Sequence, residues 1–380
     1  MSCVPNLRLL TGALAIAVSA TLATVGPIGS ARADTVAPTL RIAGPAAPVT
    51  HGDPLPVTGR LTVGDAPVAG SAVQLQARPG GGDWQVVDAA ATDADGQVAF
   101  TRAADTAADW RLLHPADAIA GEAVSATVTV SVRPVLTAAW THDAVRVKTT
   151  GTLHGLVAPA GGAVRLERQQ SGVWRLVSTL PVAADGSFRT TVRPGTAGFL
   201  SYRVVRAAAS TYLGATRVLP RLDAYLLHTY VVRTRGHIAS DVAQFAASAA
   251  QTYADPRGWL RAHHRFMRVR SGGDFTLLLA QARYLPTYSS VCSTSYSCRV
   301  GRFLIINETR WRRSSPHFTS DRATYRSMVV NHETGHWLGR PHAFCSGPGQ
   351  VAPVMQQQSK GMHGCRPNAW PLAREIRAVS

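Results

Sequence analysis

The stretch His332-Glu333-Thr334-Gly335-His336-Trp337-Leu338-Gly339-Arg340-Pro341-His342 decides how the rest of this chain is read. Tyr325, Met328, Val329, His332 and His336 recur at helical spacing, so the segment leading into it is a helix with those residues on one stripe. Two histidines one turn apart project from the same face toward one point, and both imidazoles can then reach a tetrahedral metal at about 2.0–2.1 Å. Glu333, beside the first of them, is placed to reach a water at that metal. Pro341 forbids continuation of the helix, and Gly339 can take a positive φ, so the chain turns and returns His342 as a third ligand. Downstream, Pro353-Val354-Met355 supplies a methionine in a loop, as the floor of such a site needs.

This pattern, HExxHxxGxxH with a later Met, resembles that of the metzincin zinc peptidases. The resemblance implies Zn2+ held by His332, His336 and His342, with Gly339 and Met355 as structural elements of the site. Three neutral histidines leave zinc its double charge and one open position, and Glu333 is expected as general base in peptide-bond hydrolysis. Neither a Ser/His/Asp signature nor a phosphate-binding Gly-rich loop is visible. The strand expected at Phe303–Ile306, just upstream, is by analogy the sheet edge on which a peptide would lie.

Further upstream the periodicity changes. Ile238, Val242, Phe245, Ala249 and Tyr253 read as a helix with Ser240 near its start and a stop at Asp255-Pro256-Arg257-Gly258, and Phe275–Ala280 reads as a buried strand. Between Thr35 and Pro220 short runs alternate apolar and polar residues with Gly, Pro and Asp between them. Self-comparison aligns Gly59-Arg60-Leu61 with Gly151-Thr152-Leu153, Trp84-Gln85-Val86-Val87 with Trp174-Arg175-Leu176-Val177, and Asp95-Gly96-Gln97-Val98 with Asp185-Gly186-Ser187-Phe188. A tandem duplication of roughly ninety residues fits two immunoglobulin-like sandwiches, with the Asp-Gly pairs as hairpin turns and the tryptophans as core anchors. The expected fold is therefore multidomain: two all-β immunoglobulin-like sandwiches, at 34–133 and 134–220, followed by an α+β metzincin-like zinc peptidase domain at 221–380. Arg133-Pro134 and Pro220-Arg221 are the expected linkers.

Composition sets the compartment and the partners. With 46% hydrophobic and 16% charged residues, the chain is too apolar to be disordered as a whole. Arg8 precedes an apolar run from Leu9 to Val25, followed by Gly26-Pro27 and Ala31-Arg32-Ala33, the pattern of a secretory signal over 1–33 with an A-x-A cleavage site. A secreted mature chain with no membrane span is expected, extracellular or bound to the cell wall. Cys292, Cys298, Cys345 and Cys365 remain after cleavage and read as two disulfides, with three pairings open. Residues 221–380 carry 21 basic and 8 acidic side chains, against 16 and 14 over 34–220. A solvated Arg-rich face is the plainer account of that excess, and anionic cell-envelope polymers are the sharper one. Nothing points to nucleic acid. The adjacent His263 and His264, and His363, are expected at the surface.

The run Met328 to Gly339, then Cys345, Gly347 to Gln358 and Gly364-Cys365, together with Asp255 to Trp259 and Cys292 to Cys298, resembles the DUF3152 family of exported actinobacterial proteins. The resemblance covers about residues 222 to 380 and implies the same fold, ligands and base. Family members often carry His-Gly-His after the glycine, where this chain has Arg340-Pro341-His342. Cys345 is expected to pair with Cys365, stapling the loop after His342 to the segment after Met355, and Cys292 with Cys298 in a short local loop. The functional expectation is a secreted zinc metallopeptidase acting on protein or peptide substrates. Its alternative is an envelope-binding or adhesive protein with a structural or inactive zinc site. The N-terminal repeats could also serve as an inhibitory pro-region, though not through a cysteine, since none lies between Thr35 and Pro220.

Overall fold

The computed structural model describes residues 36–379, so the signal segment expected at 1–33 lies outside the described residues. The chain is mostly β and divides into several sheets. In the first unit, Pro54–Val63 is flanked antiparallel by Pro38–Ala43 and Gln97–Ala103. Across the core lies a second sheet in which Ala72–Pro79 sits between Gln85–Ala91 and Ala108–His114. Alternate residues of both sheets, Leu55, Val57, Leu61, Leu75 and Leu112 among them, are almost wholly buried against one another. This is the period-two pattern of a strand with one wet and one dry face.

The second unit repeats that topology. Gly151–Ala158 lies between Val135–Trp140 and Ser187–Val192, while Ala163–Gln170 lies between Val173–Pro181 and Tyr202–Arg206. Even the bulges correspond, between Leu75 and Gln76 and between Leu166 and Glu167. The structure shifts one alignment of the repeats. Gly59 faces Val98 and Gly155 faces Phe188, and the Asp-Gly turn carbonyls of Gly96 and Gly186 accept from Leu61 and Val157. Gly59 therefore corresponds to Gly155, and not to Gly151.

The tryptophans of the aligned segments are also placed differently from expectation. Trp84 and Trp174 are only partly buried and lie under arginines, Arg111 at 4.2 Å and Arg203 at 4.6 Å from the ring centroids. The core aromatics are Trp110 in the first unit and, in the second, Trp140 and Tyr202, which meet edge to face at 5.2 Å. Alternation places a Trp on one face of a strand but does not say which face is dry.

The third unit begins without a free linker. Strand β1 (Leu222–Arg235) starts in the core of the second unit, where Leu222 and Ala224 are buried beside Leu219, and then continues as a strand of the next sheet. Arg133-Pro134 is likewise a short step between strands Val132–Arg133 and Val135–Trp140. After α1 (Val242–Ala254) come β2 (His264–Arg268) and β3 (Phe275–Ala280), both parallel to β1. Then β4 (Cys298–Val300) leads to β5 (Phe303–Asn307), which runs parallel to β3 and antiparallel to β4. Phe303–Ile306 is thus an interior strand, and the sheet edge is β4. Every residue of β3 is buried, as expected of a strand covered on both faces.

Helices α2 (Glu308–Arg313) and α3 (Arg322–Trp337) follow, and α4 (Ala373–Arg377) closes the unit. The cap of α1 is Asp241, whose carboxylate accepts from the backbone of Ala243 and Gln244, while Ser240 hydrogen-bonds Glu308. Phe245, Ala249 and Tyr253 of α1 and Tyr325, Met328 and Val329 of α3 pack onto Leu277, Leu304 and Ile306 of the sheet. His263 and His264 are not surface residues. His264 is buried and hydrogen-bonded to His228 at 2.7 Å, and His263 meets Asp223 at 2.6 Å, at the junction of the second and third units. His363 is exposed. Cys292 is bonded to Cys298, and Cys345 to Cys365. No helix among the described residues is long and apolar enough to cross a membrane.

Candidate metal centre

Helix α3 starts at Asp321, whose side chain accepts from the backbone of Thr324, and its buried stripe runs through Tyr325, Met328 and Val329 to His332. Three buried hydrogen bonds fix its last turns. Trp259 donates from Nε1 to the Asn331 carbonyl at 3.1 Å. Thr334 donates to the Val330 carbonyl at 2.7 Å, which leaves its oxygen to accept from the Tyr253 hydroxyl at 2.9 Å. The helix ends at Trp337, Gly339 takes φ +85°, and the amide of Arg340 bonds back to the Gly335 carbonyl at 2.9 Å. That turn brings His342 back to the helix face.

The Nε2 atom of His336 lies 3.2 Å from that of His332 and 3.1 Å from that of His342. His332 Nδ1 faces the Val354 carbonyl at 2.8 Å, and His336 Nδ1 faces the Arg340 carbonyl at 2.8 Å. Carbonyls only accept, so both Nδ1 atoms carry the protons and both Nε2 atoms present bare lone pairs to each other. Such atoms cannot hydrogen-bond one another; a cation between them resolves the opposition. The separations suit a tetrahedral ion with nitrogen ligands at about 2.0–2.1 Å. The donor set therefore fits a metal of imidazole preference. Among the described residues this group has three members and no fourth Cys, Asp, Glu or His, so a tetrahedral ion would keep one open position.

Electrostatics keep the imidazoles in their ligand form. Burial, reinforced by His336, pushes His332 down to about 3. His336 is lowered by burial and, against the Arg340 carbonyl bond, by the charge of Arg299. His342, the exposed member, is lowered by burial, then by His336 and Lys360. Glu333 is buried, one carboxylate oxygen has no hydrogen-bond partner, and burial pushes it up to about 8. A cation nearby would draw it back toward the ionised form.

Met355 packs beneath the triad with Trp259, Val354 and Ile376, and a Cβ at Gly335 would collide with its sulfur, so the helix lies directly on the methionine. The group that holds this floor carries no signal in the sequence. Glu375, buried in α4, accepts from the amides of Val354 at 3.1 Å, Met355 at 2.9 Å and Leu372 at 2.7 Å. Val354 in turn offers its carbonyl to His332, so Glu375 orients the first imidazole at one remove. Glu375→Ala is expected to lower metal affinity about tenfold to a hundredfold, the usual cost of losing an outer partner. It should also lower stability by about 2–4 kcal/mol through three buried amides left unpaired. Competition with a chromophoric chelator and thermal unfolding check the two effects, and Glu375→Gln, which keeps one acceptor, should fall between.

A cavity of about 730 Å³ opens in front of the triad, walled by Ser293 to Arg299 on one side and Gln356 to Lys360 on another. Tyr296, Arg299 and Lys360 in these walls belong to no motif visible in the sequence. Arg340 lines the cavity too, but its guanidinium also reaches the Ala378 carbonyl at 3.4 Å.

Residues 203–372 match the family model described as "Protein of unknown function (DUF3152)". The DUF3152 region thus begins within strand Tyr202–Arg206 of the second unit, earlier than residue 222, and contains the triad, Glu333 and both disulfides. None of the curated proteins compared matches the chain. Among solved structures, one described as "Crystal structure of tetra-tandem repeat in extending region of large adhesion protein" is 16% identical with a TM-score of 0.29, covering 48% of this chain and 49% of that one. The chain spans about half the length of that structure, and a likeness this loose fixes neither fold nor function.

Proposed function

We propose that the DUF3152 region is a metzincin-like zinc metallopeptidase, exported from the cell behind two immunoglobulin-like modules. The observation that carries the reading is Glu333: a buried carboxyl with an unpartnered oxygen, adjacent in sequence to His332, at a cavity that three imidazoles also face. A structural metal site needs ligands and no base, and usually closes its fourth position with another Cys or His. Zinc held by His332, His336 and His342 would supply positive charge that polarises a peptide carbonyl and acidifies water to a pKa of about 7. The chain does the rest. The Val354 and Arg340 carbonyls hold the imidazoles of His332 and His336 in one tautomer. Glu333 takes a proton from the attacking water and returns one to the leaving amine, as the carbonyl carbon gains its bond to oxygen and loses its bond to nitrogen.

The leader at 1–33 supports export, as do the two disulfides. Protein or peptide chains are the substrate, and anionic envelope polymers are a further partner for the Arg-rich third unit. The test is to incubate the mature chain with a denatured protein mixture, with and without chelator, and sequence the cleaved ends. Cleavage that chelator abolishes and zinc restores is expected. Products insensitive to chelator would overturn the chemistry, and zinc held without any cleavage would favour an adhesive role.

A further inference from the structure

The cavity before the triad has a strong charge asymmetry. Its walls carry three cationic side chains, Arg299, Arg340 and Lys360, and a single carboxyl, that of the buried Glu333. Arg340 is partly committed to the Ala378 carbonyl. Arg299 and Lys360 are exposed, and among the described residues neither forms an ion pair; Lys360 Nζ lies 5.8 Å from the Tyr296 ring.

Their placement is set by two separate elements. Arg299 is the middle residue of the edge strand β4, opposite Leu304 of β5. Leu304 lies in the core under α3, whereas Cys298 and Val300 pack on the other face of the sheet. Opposed residues of an antiparallel pair share a face, so Arg299 stands on the α3 side, above the cleft. Lys360 comes from the chain after Met355, in a segment whose ends are held by Cys345–Cys365 and by the Gln358 side chain on the Asn368 carbonyl at 2.7 Å. Arg299 and Lys360 face into the same space as three neutral imidazoles and, on the reading above, a dication. Such a cavity repels itself and is complemented by an anion on whatever enters it.

We propose that Arg299 and Lys360 make this cleft selective for peptides bearing a carboxylate close to the scissile bond, either an aspartate or glutamate side chain or the C-terminus of the chain. The assignment of a scissile bond rests on the peptidase reading; the preference for a carboxylate does not. Each cation is solvent-exposed, and exposed pairs contribute modestly, so the two together should give about three- to tenfold discrimination that fades with salt.

Four fluorescent peptides of one parent sequence test this: amidated chains with Glu, Gln or Lys at one position, and the Gln chain with a free C-terminus. Binding to the Glu333→Gln chain with zinc added is read by anisotropy at low and high salt, and cleavage by the wild-type chain is read separately. The expected result is tighter binding of the Glu peptide, of the free-terminus peptide or of both, relative to the amidated Gln peptide. Which one gains tells side chain from terminus. The preference should shrink in the Arg299→Gln, Lys360→Gln chain and move further toward the Lys peptide in the Arg299→Glu, Lys360→Glu chain. Equal binding of all four peptides overturns the proposal, and if the wild type still cleaves them the peptidase reading stands without it. A carboxylate preference with no cleavage would do the reverse, and neither binding nor cleavage would remove both.

Discussion

Glu333→Gln should leave zinc bound at one per chain and lower peptide hydrolysis by about a hundredfold to ten-thousandfold, the range that general-base assistance commonly supplies. The substitution keeps the size of the side chain and touches none of the three imidazoles of the triad. Gln cannot take a proton from water, so the loss falls on the rate and not on the metal. Metal content by mass spectrometry beside a cleavage assay reads both halves, and wild-type cleavage by the variant would mean that Glu333 is not the base. The metal-free chain offers a second readout. With its folded pKa raised to about 8 against an ordinary 4.5, Glu333 holds a proton in the fold that the unfolded chain releases. The contribution of this carboxyl to stability is therefore lost as pH rises through that window, by an amount on the order of a few kcal/mol at its upper end. Gln carries a penalty of its own for an unpaired buried amide, but a constant one. The histidines lowered in the fold, His332 to about 3 among them, act in the opposite sense below about pH 6.5 but are common to both proteins. Urea unfolding across pH 4.5–8 should therefore show the stability of the metal-free wild type falling relative to that of the variant as pH rises.

What could be read in the sequence, and what could not, follows from the range of the interactions. His332 and His336 meet because a helix turn puts them there, and His342 returns because Gly339 and Pro341 end that helix; these are local constraints, visible as spacing. Strands β3 and β5 and helices α1 and α3 show in their periodicity for the same reason. Glu375 is invisible to such reading, because its three amide partners lie as far as 21 residues away and nothing local marks its burial. Arg299 is a lone exposed residue until β4 is known to be the sheet edge, and Phe303–Ile306 passes for an edge until β4 covers it. Trp84 and Trp174 illustrate a symmetric ambiguity. Both faces of an alternating strand fit a Trp, and the arginines that cover these rings come from a strand two places along the sheet that the local sequence does not name. The pair His228 and His264 arises because β2 lies parallel beside β1 and the Val379 carbonyl meets His264 from the chain's far end, contacts that neither segment shows locally.

The three imidazoles should not respond alike to removal. His332→Ala and His342→Ala each take away one of three nitrogens, and zinc affinity should fall on the order of a thousandfold or more in both, with activity falling alongside. Their effects on the metal-free fold should diverge. His332 is buried and donates to the Val354 carbonyl in the loop that Glu375 also grips, so His332→Ala leaves a cavity and an unpaired carbonyl beneath the helix. A loss of about 2–4 kcal/mol is expected there. His342 is exposed and its Nε2 faces only the other imidazoles, so His342→Ala should change metal-free stability by less than about 0.5 kcal/mol. Denaturant unfolding of the stripped proteins, beside zinc titration of each, separates the two. Equal destabilisation by both variants would mean that the fold, and not the metal, depends on His342. A variant that kept tight zinc without His342 would require a ligand outside the triad. The divergence matters because His342 lies beyond the helix end, where this chain has Arg340-Pro341 before the histidine: its position depends on the turn at Gly339, and a bound ion would hold it there more firmly than the turn alone.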